Sequence, residues 1–232
     1  MSSQTSSDVF SDAAEHTSDL LRHFIATRGQ CSIVISGGSA MRHVLGHLAN
    51  CDVPWSSVRL YVTDERCVPR EDSNRNDVMI NEVLVQPVHF KSEFFFPIPA
   101  EFGPHRGAQS YARMLSGVDH FDIALFGVGP DGHIASLFPN HPSVENNERV
   151  IAVENSPKFP PDRVSVGLTM LRGSTHRIVV VAGGEKSDLI ARIQEGQKPP
   201  VALVNPTRWF LDSQVVGLRS NRATTTQQGQ TS

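Results

Sequence analysis

The residues best equipped for chemistry stand at Asp131-Gly132-His133. A carboxylate and an imidazole, two positions apart, directly follow an apolar strand pattern, Ile123 to Val128, that breaks at Gly129-Pro130. This is the carboxyl end of a strand, where open α/β sheets bind their ligands. The pattern after it predicts a short helix near Ile134 to Leu137. Two readings of His133 are open. It is either a base for water, because imidazole titrates near neutrality, or a structural histidine capping the following helix. Asp131 either serves the histidine or shapes the turn, since Asp-Gly is a common turn former.

Other strand ends carry groups suited to an anion. The β-branched run Cys31 to Ile35 leads into Ser36-Gly37-Gly38-Ser39 and then a helical stretch, Ala40 to Leu48. Such a loop lets backbone N–H groups and a helix N-terminus face a negative charge. Val58 to Thr63 ends in Asp64-Glu65-Arg66. A proline-rich loop, Pro157 to Arg163, carries Lys158 and Arg163 and cannot be a helix interior. Arg177 to Ala182 ends in Gly183-Gly184, with Lys186 in the first turn of the helix that follows. Any one of these cations taken singly is a solvated surface charge. Their recurrence at strand ends is what points to a site.

The elements that must position these groups alternate. Helical spacing runs from Asp8 to a stop at Gly29, from about Asp77 to Val85, from Gly107 to Leu115, and from Glu185 to Ile193. Phe90 to Pro104 reads as irregular. Val150 to Val153, Val164 to Leu168, Val201 to Val204 and Val215 to Leu218 read as further strands. Alternation of this kind predicts a single-domain, doubly wound α/β fold with a mainly parallel sheet and helices on both faces. Right-handed crossovers then gather the strand-end loops on one edge. The domain is expected over residues 8–218, between disordered tails at 1–7 and 219–232, both polar.

Composition narrows the function classes. The chain has 232 residues, and its formal charge of −3 argues against a nucleic-acid or anionic-membrane binder. Three widely spaced cysteines, Cys31, Cys51 and Cys67, suggest neither a disulfide framework nor a zinc site. With no apolar run of transmembrane length and no signal segment, a cytoplasmic protein is expected. His43 and His47 have zinc-pair spacing, but Val44 stands where a metalloprotease needs glutamate. Ser39 and Ser136 lack a nucleophile elbow, so Ser136 reads as support for the helix after His133. Cys67 beside Arg66 could carry an activated thiol, but no base stands near it, and it reads as loop packing. Gly183-Gly184 does not complete a dinucleotide fingerprint. No metal and no cofactor is expected.

Taken together, Ser36-Gly37-Gly38-Ser39, Asp64-Glu65-Arg66-Cys67-Val68-Pro69, Ser73-Asn74, Gly127-Val-Gly-Pro-Asp-Gly-His-Ile-Ala-Ser-Leu-Phe-Pro139, Lys158 with Pro160-Pro161 and Arg163, and Gly183-Gly184-Glu185-Lys186 resemble the glucosamine-6-phosphate isomerase/6-phosphogluconolactonase family. The resemblance runs in order over roughly residues 10–218. The segment after His133 is similar to the lactonase branch; the deaminase branch continues towards Phe-Asn-Glu-Pro, and that glutamate is absent. Ala40-Met41 replace the Thr-Pro usual in the first loop, and Arg75 stands where an aromatic residue is common.

The resemblance implies hydrolysis of 6-phosphoglucono-1,5-lactone to 6-phosphogluconate in the oxidative pentose phosphate route. It implies His133 as general base, with Asp64 and Asp131 as catalytic carboxylates, either of which could orient the imidazole. Gly37, Gly38, Ser39, Lys158 and Lys186 would hold the phosphate, helped by Arg66 and Arg163. The partner expected is a small phosphosugar lactone, met by a monomer or weak homo-oligomer. Two alternatives stand beside this: a deaminase or isomerase of amino-sugar phosphates, and a non-catalytic sugar-phosphate sensor.

Overall fold

The computed structural model describes residues 3–6 and 8–215. In chain order its elements are β1 (Ser3–Ser6), α1 (Val9–Arg28), β2 (Cys31–Ile35), α2 (Ser39–Leu48), β3 (Val58–Val62), β4 (Asp64–Arg66), α3 (Asn76–Ile80), β5 (Phe95–Phe96), α4 (Pro104–Met114), β6 (Ile123–Gly127), β7 (Val150–Val153), β8 (Arg163–Val166), α5 (Leu168–Arg172), β9 (His176–Val181), α6 (Ser187–Gln194), α7 (Pro200–Leu203) and β10 (Arg208–Asp212). Seven strands form one sheet in the order β1-β10-β9-β6-β2-β3-β5, and every pair in it is parallel. The fold is the expected doubly wound α/β type. Its central strands are apolar runs because both faces are covered by helices. Ile33, Val34 and Ile35 of β2, Leu60 and Val62 of β3, and Ile123 to Phe126 of β6 are all buried.

β2 is the pivot. The chain passes from β2 through α2 to β3 on one side, then returns to place β6 on the other. The carboxyl ends of β2 and β6 therefore flank a topological switch point, where such sheets open a crevice. A second sheet, β4-β8-β7, is small and antiparallel. Only Thr63 separates it from the end of β3, so Asp64-Glu65-Arg66 is a strand of this sheet and not a strand-end loop.

The local signals explain most boundaries. Asp8 caps α1 by accepting the Ser11 N–H at 3.1 Å, and Gly29 closes it in the left-handed conformation with its N–H on the Ile25 carbonyl. α3 continues without a break as a π-helical stretch, Asn81–Val85. Four expectations are corrected. Residues 3–6 of the expected tail instead pair with β10; only backbone groups and Gln4, which bonds Asp12 and Arg208, are needed for that edge, so a polar composition does not prevent it. Ile134 to Leu137 is a tight turn closed by an antiparallel bridge, not a helix. Val201–Val204 falls in and just after α7, started by Pro200, where a β-branched composition misleads. Within the stretch read as irregular, Phe95–Phe96 forms the edge strand β5. Arg208–Asp212 supplies a strand the pattern reading did not mark. The strand expected from Val215 to Leu218 lies, beyond Val215, outside the described residues, as does the tail at 219–232. Among those described, no helix is long and apolar enough to cross a membrane.

Candidate active site

At the switch point lies a cavity of about 300 Å³. Gly37, Gly38, Ser39, Asp64, Arg66, His133, Arg163 and Lys186 line it, as do Ser36, Asn76, Gly129 and Glu185. Asp131 and Lys158 stand at its edge, against His133. The candidate site residues read from sequence thus converge on one place.

His133 is held on one nitrogen. Its Nδ1 lies 2.5 Å from Asp131 Oδ1. A carboxylate accepts, so Nδ1 carries the proton, and in the neutral ring Nε2 carries the lone pair. Nε2 has no hydrogen-bond partner among the described residues. The ring packs against Phe138, with centroids 4.8 Å apart. Gly129 makes the arrangement possible: a Cβ there would fall 2.0 Å from His133 Cε1 and 2.7 Å from Asp131 Oδ1. The turn is further closed by Gly129 N–H on the His133 carbonyl at 3.1 Å. Burial alone would push the Asp131 carboxyl up, but the hydrogen bond and charge of His133, with Lys158, hold it far below the usual carboxylate range. Lys158 Nζ is 3.7 Å from Asp131 Oδ1 and 3.3 Å from His133 Nδ1.

Asp64 serves a different neighbourhood. It is buried, its Oδ2 accepts the Ser136 hydroxyl at 2.6 Å, and its Oδ1 accepts the Thr63 hydroxyl at 2.9 Å. Of the two aspartates, Asp131 is the one in contact with the imidazole. Ser136, expected to support a helix start, instead ties the turn after His133 to β4.

The basic side chains and free N–H groups around the cavity come from both sheets. α2 starts at Gly38 with no side chain capping it, so its first N–H groups are free of side-chain partners where the cavity opens. Ala40-Met41 leave this start intact, and Met41 is fully buried. Lys186 donates to the Ala182 carbonyl at 2.7 Å, with Glu185 3.5 Å away, which leaves ammonium hydrogens for a ligand. Arg66 bonds the Asn74 carbonyl through Nη1, while its buried Nε has no partner among the described residues. Arg163 has a second task. Its guanidinium gathers the carbonyls of Lys158, Phe159 and Pro160 at 2.9 to 3.2 Å, shaping the loop that presents Lys158.

Behind β4 lies a buried charge cluster that sequence reading passed over. Arg75 forks onto Asp77 at 2.8 and 2.7 Å, reaches Glu101 at 3.2 Å, and lies 3.9 Å from Glu65. Glu65 accepts the N–H groups of Asn76 and Asp77 at 2.8 Å and so ties the start of α3 to β4. Burial and the Asp77 carboxylate nevertheless push the Glu65 carboxyl up, to about 8. The signal was Arg75 in an otherwise polar loop, but full burial of an arginine cannot be read from composition. The other candidates resolve simply. His43 lies 2.9 Å from the Ser39 carbonyl and stacks on Phe10. Burial pushes the Cys67 thiol up to about 12, the opposite of an activated thiolate.

A parallel sheet with an Asp–His pair and an uncapped helix start at its switch point defines a Rossmann-like α/β protein with a strand-end cavity. Comparison with known proteins narrows the class. The chain belongs to the family described as glucosamine-6-phosphate isomerases/6-phosphogluconolactonase, whose model matches residues 4–215. Among curated relatives, the 6-phosphogluconolactonase of Mycobacterium leprae is 32% identical over 89% of this chain and 95% of its own. That of Streptomyces coelicolor is 34% identical over 81% of this chain and 82% of its own. In structure the chain is similar to a 6-phosphogluconolactonase from Thermotoga maritima, with a TM-score of 0.86 at 24% identity, covering 91% of this chain and 99% of that one.

Proposed function

We propose that this chain is a carboxylic-ester hydrolase that opens 6-phosphoglucono-1,5-lactone to 6-phosphogluconate in the pentose phosphate pathway, with His133 as its general base. The observation that carries the residue assignment is the Asp131–His133 contact in the cavity. With Nδ1 committed to Asp131, the Nε2 lone pair is the proton acceptor. His133 takes a proton from water as the oxygen attacks the lactone carbonyl. The tetrahedral oxyanion that forms then collapses, the C1–ring oxygen bond breaks, and His133 returns the proton to the departing ring oxygen. Asp131 keeps the imidazole in the useful tautomer and offsets its positive charge while it holds the proton. A base positioned in this way contributes about 10²–10⁴-fold.

The phosphate is held by the Gly37-Gly38-Ser39 loop with Lys158 and Lys186. Arg66, which lines the cavity, takes a substrate oxygen, and Arg163 acts through the Lys158 loop as well as by its charge. Asp64 orders the site through Ser136 and borders the water. Neutralising a dianion needs several cations, and the convergence of four on one cavity supports this reading.

The experiment generates the lactone in place with glucose-6-phosphate dehydrogenase and follows acid release. Hydrolysis above the spontaneous rate, lost in His133→Ala, is expected. Ammonia release from glucosamine 6-phosphate would favour the deaminase instead, and phosphosugar binding without acceleration would favour a sensor. A cytoplasmic setting and a monomer or weak homo-oligomer belong to the same reading; the first is supported by Cys31, Cys51 and Cys67 all being free thiols.

A further inference from the structure

Asn76 begins α3 and lines the cavity, outside the proton-transfer pair and the basic side chains. Its backbone is fixed by Glu65, which accepts its N–H at 2.8 Å. Its side chain is buried and spans two parts of the site. Nδ2 donates to the Asp64 carbonyl at 2.7 Å and lies 3.4 Å from Asp64 Oδ1. The other face of the carboxamide presses on the anion loop: a Cβ at Gly37 would fall 1.8 Å from Asn76 Oδ1 and 2.3 Å from Cγ. Gly37 is not in the left-handed region, so its backbone would accept alanine. The three atoms nearest to such a Cβ all belong to the Asn76 side chain, so it is Asn76 that requires glycine at position 37.

We propose that Asn76 is a positioning residue that sets substrate affinity, its carboxamide acting as a spacer between the Gly37–Ser39 loop and the Asp64 strand. The loop presents N–H groups to the phosphate, while β4 carries Asp64 and Arg66. The two belong to different sheets, and the described contacts give them no backbone bond to each other beside the cavity. The spacer therefore fixes the distance across which a phosphorylated ring must fit. The inference rests on the lactonase reading for its substrate.

The test is a double-mutant cycle on the full chain, using Asn76→Ala, Gly37→Ala and the pair together. Asn76→Ala raises KM for the lactone about tenfold and leaves kcat within about threefold, because the loss falls on binding and not on the base. Gly37→Ala drives its methyl into Asn76 and costs more, about a hundredfold in kcat/KM, through overpacking. The pair recovers to the level of Asn76→Ala alone, since the methyl now occupies the vacated space. Calorimetric affinity for 6-phosphogluconate follows the same order. If Gly37→Ala does not fold, the single Asn76→Ala and its product affinity decide. An unchanged KM and product affinity in Asn76→Ala overturns the proposal, as does a pair whose losses simply add. A wild-type protein that does not accelerate lactone opening sinks the lactonase reading itself, whereas the calorimetry with 6-phosphogluconate still reads the spacer.

Discussion

Replacing Asp131 by asparagine removes a charge while keeping the shape. The new amide can still accept from His133 Nδ1 through its carbonyl, but the bond is no longer charge-assisted. The amide can equally turn its NH₂ towards the ring and stabilise the wrong tautomer. When the amide turns, the charge-assisted bond is lost whole, and such a bond is worth about 1.5–3 kcal/mol. The contact is 2.5 Å long and His133 is largely buried, so the upper half of that range applies. Felt in the transition state, where the imidazole carries the proton, that is about 40- to 150-fold in kcat, at roughly 1.4 kcal/mol per tenfold. KM changes less than kcat, because Asp131 meets the anion cradle only through Lys158, 3.7 Å away. The assay is acid release from enzymatically generated lactone, at several pH values.

The same carboxylate makes a second, independent signal. Its folded-state titration lies below the unfolded value near 3.8. Stability from the pair is therefore present above pH ~4 and lost as pH falls through the folded value. The side chain is about a third exposed, so solvent screening limits the contribution to about 1 kcal/mol. Asp131→Asn should thus melt a few degrees below wild type at neutral pH, with the gap closing as the medium is made acidic. A variant that keeps near-normal kcat would refute the role given to Asp131. So would a loss of activity fully accounted for by unfolded protein.

His133→Ala lowers kcat by about 10²–10⁴-fold with an unchanged far-ultraviolet circular dichroism spectrum, because the ring lies at a cavity wall and not in the core. Gly129→Ala, whose Cβ would fall 2.0 Å from the imidazole, gives a kcat loss close to that of His133→Ala and a destabilisation of about 1–3 kcal/mol by chemical denaturation. Arg75→Met leaves Glu65, Asp77 and Glu101 without their shared cation; urea unfolding should show a loss of about 3–5 kcal/mol, and raising pH should deepen it, since Glu65 ionises as pH rises towards about 8.

Sequence carried the strand ends well, because buried parallel strands are apolar runs and the polar groups that end them stand out. Asp131-Gly132-His133, the Gly37–Ser39 loop and Lys186 were all legible in that way. What could not be read was pairing across distance. Asp64 looks like a partner for His133 from position alone, but β4 turns into the second sheet and gives Asp64 to Ser136, which lies 72 residues away in the chain. Residues 3–6 failed for another reason: an edge strand needs only backbone, and composition says nothing about backbone. Ile134 to Leu137 has helical spacing over too few residues to nucleate a helix, and a bridged turn won. Asn76 and Arg75 drew no attention as inward-facing groups because a polar loop hides which of its side chains turn inward.

The two sheets divide the labour. His133, Asp131, the Gly37–Ser39 loop and Lys186 sit on the ends of the large parallel sheet, whereas Asp64, Arg66, Lys158 and Arg163 belong to the small antiparallel sheet and its hairpin loop. The two groups meet at Lys158, which lies against both Asp131 and His133. On the lactonase reading, reshaping the β7–β8 hairpin would alter the phosphate grip and the Asp131–His133 pair together, because Lys158 touches both residues.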